Sequence, residues 1–253
     1  MGEHFIDINS DLGESAEALA NGSDFDLMRF ISSANIACGG HAGDESTMRK
    51  TLAAAKELSL AVGAHPSYPD RANFGRIAMP MSAAEIEITV RQQIEQLASL
   101  ADEAGMKLVH VKPHGALYHA ARDWTIAAAI GKAARSVDPQ LVMVGQAGSP
   151  AVEHWQKMGF RCVGEAFADR RYERDGTLRS RTMPGALLAS PADAARQALA
   201  IARDHVATIH NGSELAIVAE TLCIHSDTPG AAAIAQEVKR QLLAAGFVVR
   251  SLA

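Results

Sequence analysis

Leu108-Val-His-Val-Lys-Pro-His-Gly115 is the stretch on which the reading of the fold turns. Strand side chains alternate between two faces. Val109 and Val111 therefore share one face, while His110, Lys112 and His114 share the other. The same pattern recurs along the chain. Ile6 and Ile8 oppose Asp7, Asn9 and Asp11; Leu222 and Ile224 oppose Cys223, His225 and Asp227; Glu165, Phe167 and Asp169 share one face. A solvated antiparallel sheet could carry such faces. The segments between these strands, however, have helical periodicity.

Apolar runs at 5–9, 33–38, 60–64, 108–111, 141–145, 160–167 and 215–224 alternate with these helical segments, and 247–252 adds one more run. A helix is expected over 24–32. Asp44 reads as the N-cap of a helix reaching residue 58. Ser82 and Glu85 form a capping box for a long helix that Gly105 ends. Another helix spans 123–137. Ser149-Pro150, Ser190-Pro191 and Thr228-Pro229 each place proline at a helix start. Strand–helix alternation implies parallel βα units. About seven units in 253 residues suit one (β/α) barrel domain, TIM-barrel-like, over residues 1–253. The long stretch 168–188 is the expected flap or lid. Inner positions of such barrels are usually bulky and apolar. Here they are polar or charged, increasingly so toward the C-terminal strand ends, where barrel enzymes place their sites.

Hydrophobic residues make up 48% of the chain, enough for a real core, and aromatics only 5%. A net charge of −5 argues against nucleic-acid or anionic-membrane partners. No apolar run approaches a membrane span. Three dispersed cysteines without a C-x-x-C pair, and no basic-then-apolar leader, point to a reducing, cytoplasmic setting.

Four motifs carry chemistry. Asp7-Ile-Asn-Ser-Asp-Leu-Gly-Glu14 packs three carboxylates after a strand, suited to acid–base work or metal binding, or to a solvated capped turn. Asn35-Ile-Ala-Cys-Gly-Gly-His-Ala-Gly-Asp44 is a glycine-rich βα turn that sets His41 at the mouth. Gly63-Ala-His-Pro-Ser-Tyr-Pro-Asp70, followed by Asn73-Phe-Gly-Arg76, sets His65 at a strand end and offers Arg76 as a carboxylate or phosphate clamp. The opening stretch adds Lys112 and His114. Asp11, His41, His65 and His114 together have the composition of a His-plus-carboxylate metal site, so a divalent metal is a candidate cofactor. No G-x-x-x-x-G-K-[ST] occurs, so the chain carries no P-loop.

These blocks, with Gly164-Glu-Ala-Phe-Ala-Asp-Arg170, Tyr172, Leu178, Arg181 and Cys223-Ile-His-Ser-Asp227, resemble the LamB/YcsF family, the A subunit of prokaryotic ATP-dependent 5-oxoprolinase. The resemblance implies a barrel of the glycoside hydrolase/deacetylase type. It also implies a reaction in which 5-oxo-L-proline, ATP and water give L-glutamate, ADP and phosphate. Partner B and C subunits would activate the lactam, with ATP as co-substrate of the complex, and the A subunit would open the ring. On this reading Asp11, His41, His65, Lys112 and His114 are the candidate catalytic residues. Asp11, His41 or His65 would be the base, and His114 the proton donor to the leaving nitrogen. Asn9, Glu14, Asp44, Arg76, Glu165 and Arg181 are candidate substrate-binding residues. Two positions depart from the family pattern. Gly40 stands where a bulky residue such as Phe is common, and Ser226 where glycine is usual. The alternatives are a metal-dependent carbohydrate deacetylase acting alone and a non-catalytic substrate-binding subunit.

Overall fold

The computed structural model describes residues 4–252. Among them ten strands occur: β1 (His4–Leu12), β2 (Ser33–Ala37), β3 (Ala61–His65), β4 (Leu108–Val111), β5 (Val142–Gln146), β6 (Cys162–Phe167), β7 (Val206–Thr208), β8 (Glu214–Ala216), β9 (Thr221–Cys223) and β10 (Phe247–Val249). The helices are α1 (Ala16–Ala20), α2 (Ser23–Met28), α3 (Glu45–Glu57), α4 (Ala83–Glu103), α5 (Gly115–Ala120), α6 (Trp124–Val137), α7 (Pro150–Lys157), α8 (Pro191–Asp204) and α9 (Ala231–Ala244). β1 to β6 pair in sequence order, all parallel, and β9 closes the ring between β6 and β1. The result is a seven-stranded parallel barrel. β10 adds parallel pairing to residues 4–6 of β1.

The apolar core lies between strands and helices. Ile8, Ile36, Val62, Val111, Met143 and Leu222 face outward into one cluster with Leu52, Ile94, Ile130, Trp155, Ile201 and Val238. Capping fixes the helices as the sequence signals. Asp44 accepts from Thr47 N at 2.8 Å, Ser82 and Glu85 form a reciprocal box, and Asp123 caps α6. Trp155 Nε1–H donates to Ala127 O at 2.9 Å, tying α7 to α6. Among the described residues no helix is long and apolar enough to cross a membrane.

Three sequence expectations shift. The 215–224 run is not one strand: residues 214–216 form β8, which pairs antiparallel with β7 outside the barrel, and only Thr221–Cys223 enters the ring. An apolar run alone cannot report which sheet it joins. The last helix begins after Gly230, which holds a left-handed cap, rather than at Thr228-Pro229. The 24–32 helix stops at Met28, because Ser32 N is claimed by Ile8 O of the barrel. The short helices α1 and α5 follow barrel strands and are additions to the sequence reading, being too brief to show a helical period.

One glycine reports how crowded the lumen is. The β3–β4 register shifts at Gly63, and a Cβ there would lie inside van der Waals contact of the His110 ring. His110 is fully buried, so the ring has nowhere to retreat. Gly63→Ala should lower stability by about 1–3 kcal/mol through overpacking. Thermal unfolding checks this, and an unchanged midpoint would contradict the close approach.

Candidate active site

The inward residues stack in layers. At the bottom the Asp7 carboxylate accepts hydrogen bonds from Ser32 Oγ and Ser33 Oγ, both at 2.7 Å, and from Thr221 Oγ1. Above it, Asn35 Nδ2 donates to Asn9 Oδ1 and Asp11 Oδ1, both at 2.8 Å, while His110 Nε2–H donates to Asn35 Oδ1 at 2.7 Å. Lys112 occupies the next layer. Its Nζ lies 2.9 Å from Asp11 Oδ1, 2.8 Å from Glu165 Oε1 and 3.3 Å from Cys223 Sγ. Tyr118 donates to Glu165 Oε2 at 2.9 Å. Burial opposes the Lys112 charge, but the surrounding carboxylates hold its ammonium well above the usual lysine range. Burial likewise opposes ionisation of Asp11, yet His65 and Lys112 hold its carboxyl well below the usual range.

The loops at the C-terminal strand ends complete the site. Gly13 takes a left-handed φ of 70°, and the turn after β1 brings Glu14 back over the mouth. Glu14 Oε1 then lies 2.8 Å from His41 Nε2 and 3.3 Å from His114 Nδ1. His65 Nε2 stands 3.0 Å from His114 Nδ1 and 3.4 Å from Asp11 Oδ2. Burial and then the Asp11 charge push Glu14 up to about 7. Burial and then the His65 charge push His41 down to about 2, and His114 falls strongly for the same two reasons.

Above this cluster lies a cavity of about 440 Å³. Asp11, His65, Lys112 and His114 form its polar floor, Tyr118, Phe167 and Leu178 line its walls, and Arg76, Arg170 and Arg181 stand around it. Asp227 bridges two of the arginines, with Arg76 Nη2 at 2.7 Å and Arg181 Nη1 at 2.9 Å. Arg181 and Leu178 come from the 168–188 stretch. That stretch bridges onto itself at Arg170–Leu187 and Tyr172–Leu178 and covers one side of the cavity.

The structure thus gathers Asp11, Glu14, His41, His65, Lys112 and His114 in one place and sets Arg76 and Arg181 over them. Glu14 and His41 stand behind the cavity surface. Asn9 and Glu165 lie deeper, buried against Lys112. Asp44 is not brought to the cavity: it is exposed, and its carboxylate is spent on capping α3. Tyr118, Arg170, His225 and Asp227 join the site from outside the sequence-based set. The alternating face at 223–227 signals the last two, whereas nothing in local pattern signals an arginine on a loop. Phe74 is a further addition. It holds a left-handed φ of 55°, and its carbonyl accepts from His114 Nε2–H at 3.0 Å. The two family departures find local reasons. A side chain at Gly40 would meet Ser67 and Gln93, which are hydrogen-bonded to each other. Ser226 takes an ordinary backbone conformation, and Asp227 is held by its arginines.

Among the described residues two groups have metal-ligating composition, namely Glu14, His41, His65 and His114, and Asp11, Cys223 and His225. The second does not fit an ion. Burial pushes the Cys223 thiol well up, and the Lys112 ammonium already sits at its sulfur.

Residues 6–253 match the model of the LamB/YcsF family. A Chloroflexus aggregans protein, named as the A subunit of 5-oxoprolinase, is 49% identical over 247 residues, covering 97% of this chain and 98% of that protein. The crystal structure of a lactam utilization protein from Thermus thermophilus superimposes with a TM-score of 0.91 at 41% identity, covering 98% of this chain and 100% of that one. A structure described as T48 deacetylase with substrate, at 14% identity and a TM-score of 0.50, covers 98% of this chain and 87% of its own and shares the fold alone.

The buried charges generate two expectations. Burial pushes the Asp7 carboxyl from 3.8 up to about 6 against its three hydroxyl donors. A raised carboxyl pKa means the folded state holds a proton that the unfolded chain releases, so Asp7 costs stability as pH rises from about 4 to 6. Asp7→Asn lacks this cost. Its stability relative to wild type should rise by on the order of 3 kcal/mol between pH 4 and pH 7, read by urea unfolding. A pH-independent difference would contradict it. Lys112→Met strands two buried carboxylates and should destabilise by about 3–5 kcal/mol, with partial recovery when Glu165→Gln is added. Equal stability of single and double variants would dissolve the argument.

Proposed function

This chain belongs to the LamB/YcsF family, and from that premise we propose that it is the A subunit of an ATP-dependent 5-oxoprolinase. On this reading it opens the ring of activated 5-oxo-L-proline to L-glutamate. The observation that carries the proposal is the cavity itself. Arginines surround it, while a carboxylate, a buried ammonium and two imidazoles form its floor.

A five-membered lactam is a stabilised amide with a poorly electrophilic carbonyl. Transfer of a phosphoryl group from ATP to the lactam oxygen makes the carbonyl carbon attackable. We assign that transfer to B and C partner subunits, since this chain carries no P-loop. Arg76 and Arg181 suit the carboxylate or phosphate of the activated substrate, because both guanidinium groups already grip the Asp227 carboxylate. Arg170 adds a third guanidinium to the cavity lining; its buried Nε has no hydrogen-bond partner among the described residues.

Asp11 is the proton acceptor of this reading. Its Oδ1 is fixed by Lys112 and Asn35, and its Oδ2 lies toward His65 at the cavity floor. Water attacks the carbonyl carbon as its proton passes to Asp11. The carbon–nitrogen bond then breaks as the new hydroxyl re-forms a carbonyl; the proton held by Asp11 and the hydroxyl proton both end on the ring nitrogen, which leaves as the ammonium group of the product. The product is glutamate carrying an acyl phosphate, which a second water converts to glutamate and phosphate. His114 is not the loaded donor expected for the nitrogen, because its N–H is engaged at Phe74 O. Placement in the cytoplasm is in keeping with three free cysteines.

The test is reconstitution with the cognate B and C subunits, following glutamate release from 5-oxoproline. Release should require ATP and this chain together. Asp11→Asn should slow it at least about 100-fold. Arg181→Ala should act chiefly by raising KM for 5-oxoproline. Glutamate formed at the full rate without this chain, or with Asp11→Asn, would overturn the assignment.

A further inference from the structure

We propose that Glu14, His65 and His114 form a binding site for one divalent transition-metal ion of the zinc type, with His41 and Phe74 positioning these ligands. The argument begins with where the imidazole protons reside. His65 Nδ1 lies 2.7 Å from Lys112 O, and a carbonyl can only accept, so the His65 proton is on Nδ1. By the same logic the His114 proton is on Nε2, which donates to Phe74 O at 3.0 Å. In the neutral form of each ring the remaining nitrogens, His65 Nε2 and His114 Nδ1, present lone pairs, and they face each other at 3.0 Å.

Two acceptors at that distance repel unless something electron-poor lies between them. Glu14 Oε1 adds a third acceptor, 3.3 Å from His114 Nδ1 and 3.9 Å from His65 Nε2. A single proton can join only one pair of these atoms. A cation can satisfy all three. Donors bound to zinc at about 2.0–2.1 Å in tetrahedral array stand about 3.3–3.4 Å apart. The three separations here bracket that value.

Ring orientation selects the ligands. The His65 and His114 planes cross at 86°, so both can contain one ion. His41 lies stacked on His114, 4° from parallel with centroids 3.6 Å apart. A point in the His114 plane therefore lies well out of the His41 plane, and His41 cannot ligate the same ion. Its Nε2–H instead donates to Glu14 Oε1 at 2.8 Å and fixes that carboxylate. Backbone strain at Phe74 is spent on the same site, since its left-handed residue supplies the carbonyl that sets the His114 tautomer. Two imidazoles and a carboxylate suit zinc, cobalt, iron(II) or manganese rather than calcium or magnesium. The open side faces the cavity beside Asp11. There an ion would acidify a bound water, a use that rests on the ring-opening reading, whereas the site itself does not.

Full-length protein, stripped with a chelator, is titrated with Co²⁺ as the probe. The expected result is uptake of one ion per chain at micromolar concentration, with visible absorption of nitrogen-ligated cobalt that Zn²⁺ displaces. His65→Ala and His114→Ala should abolish the absorption, and His41→Ala should weaken affinity roughly 10–100-fold. X-ray absorption of the wild-type cobalt form, which needs no variant to fold, should show two imidazole ligands. No stoichiometric uptake, or an all-oxygen shell, would overturn the site. Metal binding without glutamate release would leave the site standing and count against the reaction instead.

Discussion

A lysine ammonium in the middle of a barrel sets the terms for everything around it. Lys112 is 3% exposed, and an isolated charge there would cost several kcal/mol. The structure offsets that cost with two carboxylates on opposite sides, Asp11 from β1 and Glu165 from β6. Those carboxylates then need their own partners. Asn35 serves Asp11, Tyr118 serves Glu165, and His110 fixes the orientation of Asn35. Each requirement passes to the next strand, so most of the barrel strands contribute side chains to one connected network. Geometry this interdependent resists piecemeal change and holds the floor of the cavity rigid.

The mouth obeys a different constraint. Its histidines sit on loops and strand ends, where single contacts fix each ring. Backbone carbonyls of Lys112 and Phe74 orient His65 and His114, and the Glu14 carboxylate orients His41. A rigid charged floor lies beneath individually aimed imidazoles, with Asp11 belonging to both the Lys112 network and the cavity. Substitutions in the Lys112 network therefore act on the fold and the site together, while those among the histidines act on the site.

Alternation makes much of this readable from the sequence alone. Val109 and Val111 against His110, Lys112 and His114 is a two-residue period, and it survives folding because both faces of a barrel strand are spoken for. The same rule correctly turns Asp7, Asn9 and Asp11 inward. It fails where position depends on contacts distant in sequence. Residues 215–224 look like one strand, yet the backbone leaves β8 and enters the barrel only at Thr221, a choice made by β1 and β6. Asp44 looks as chemical as Asp11, but a cap and a site carboxylate share the same short motif. Arg170 and Arg181 converge on the cavity through a long loop whose course no local periodicity encodes. Phe74 is invisible because its role lies in its carbonyl, which every residue possesses.

Asp7 and Asp11 show how the lumen sorts charge. They lie four residues apart on one strand, point the same way and are both buried. Yet burial lifts Asp7 to about 6, while Asp11 is held well below the usual range. The difference is the company each keeps. Asp7 meets only hydroxyls, which stabilise a carboxylate weakly. Asp11 meets an ammonium and an imidazole. Polarity therefore climbs the barrel from hydroxyls through amides to ions, and fixed negative charge settles near the open end. A reaction that needs an ionised carboxylate beside a cation has one depth at which to occur, and that is the depth at which the cavity begins.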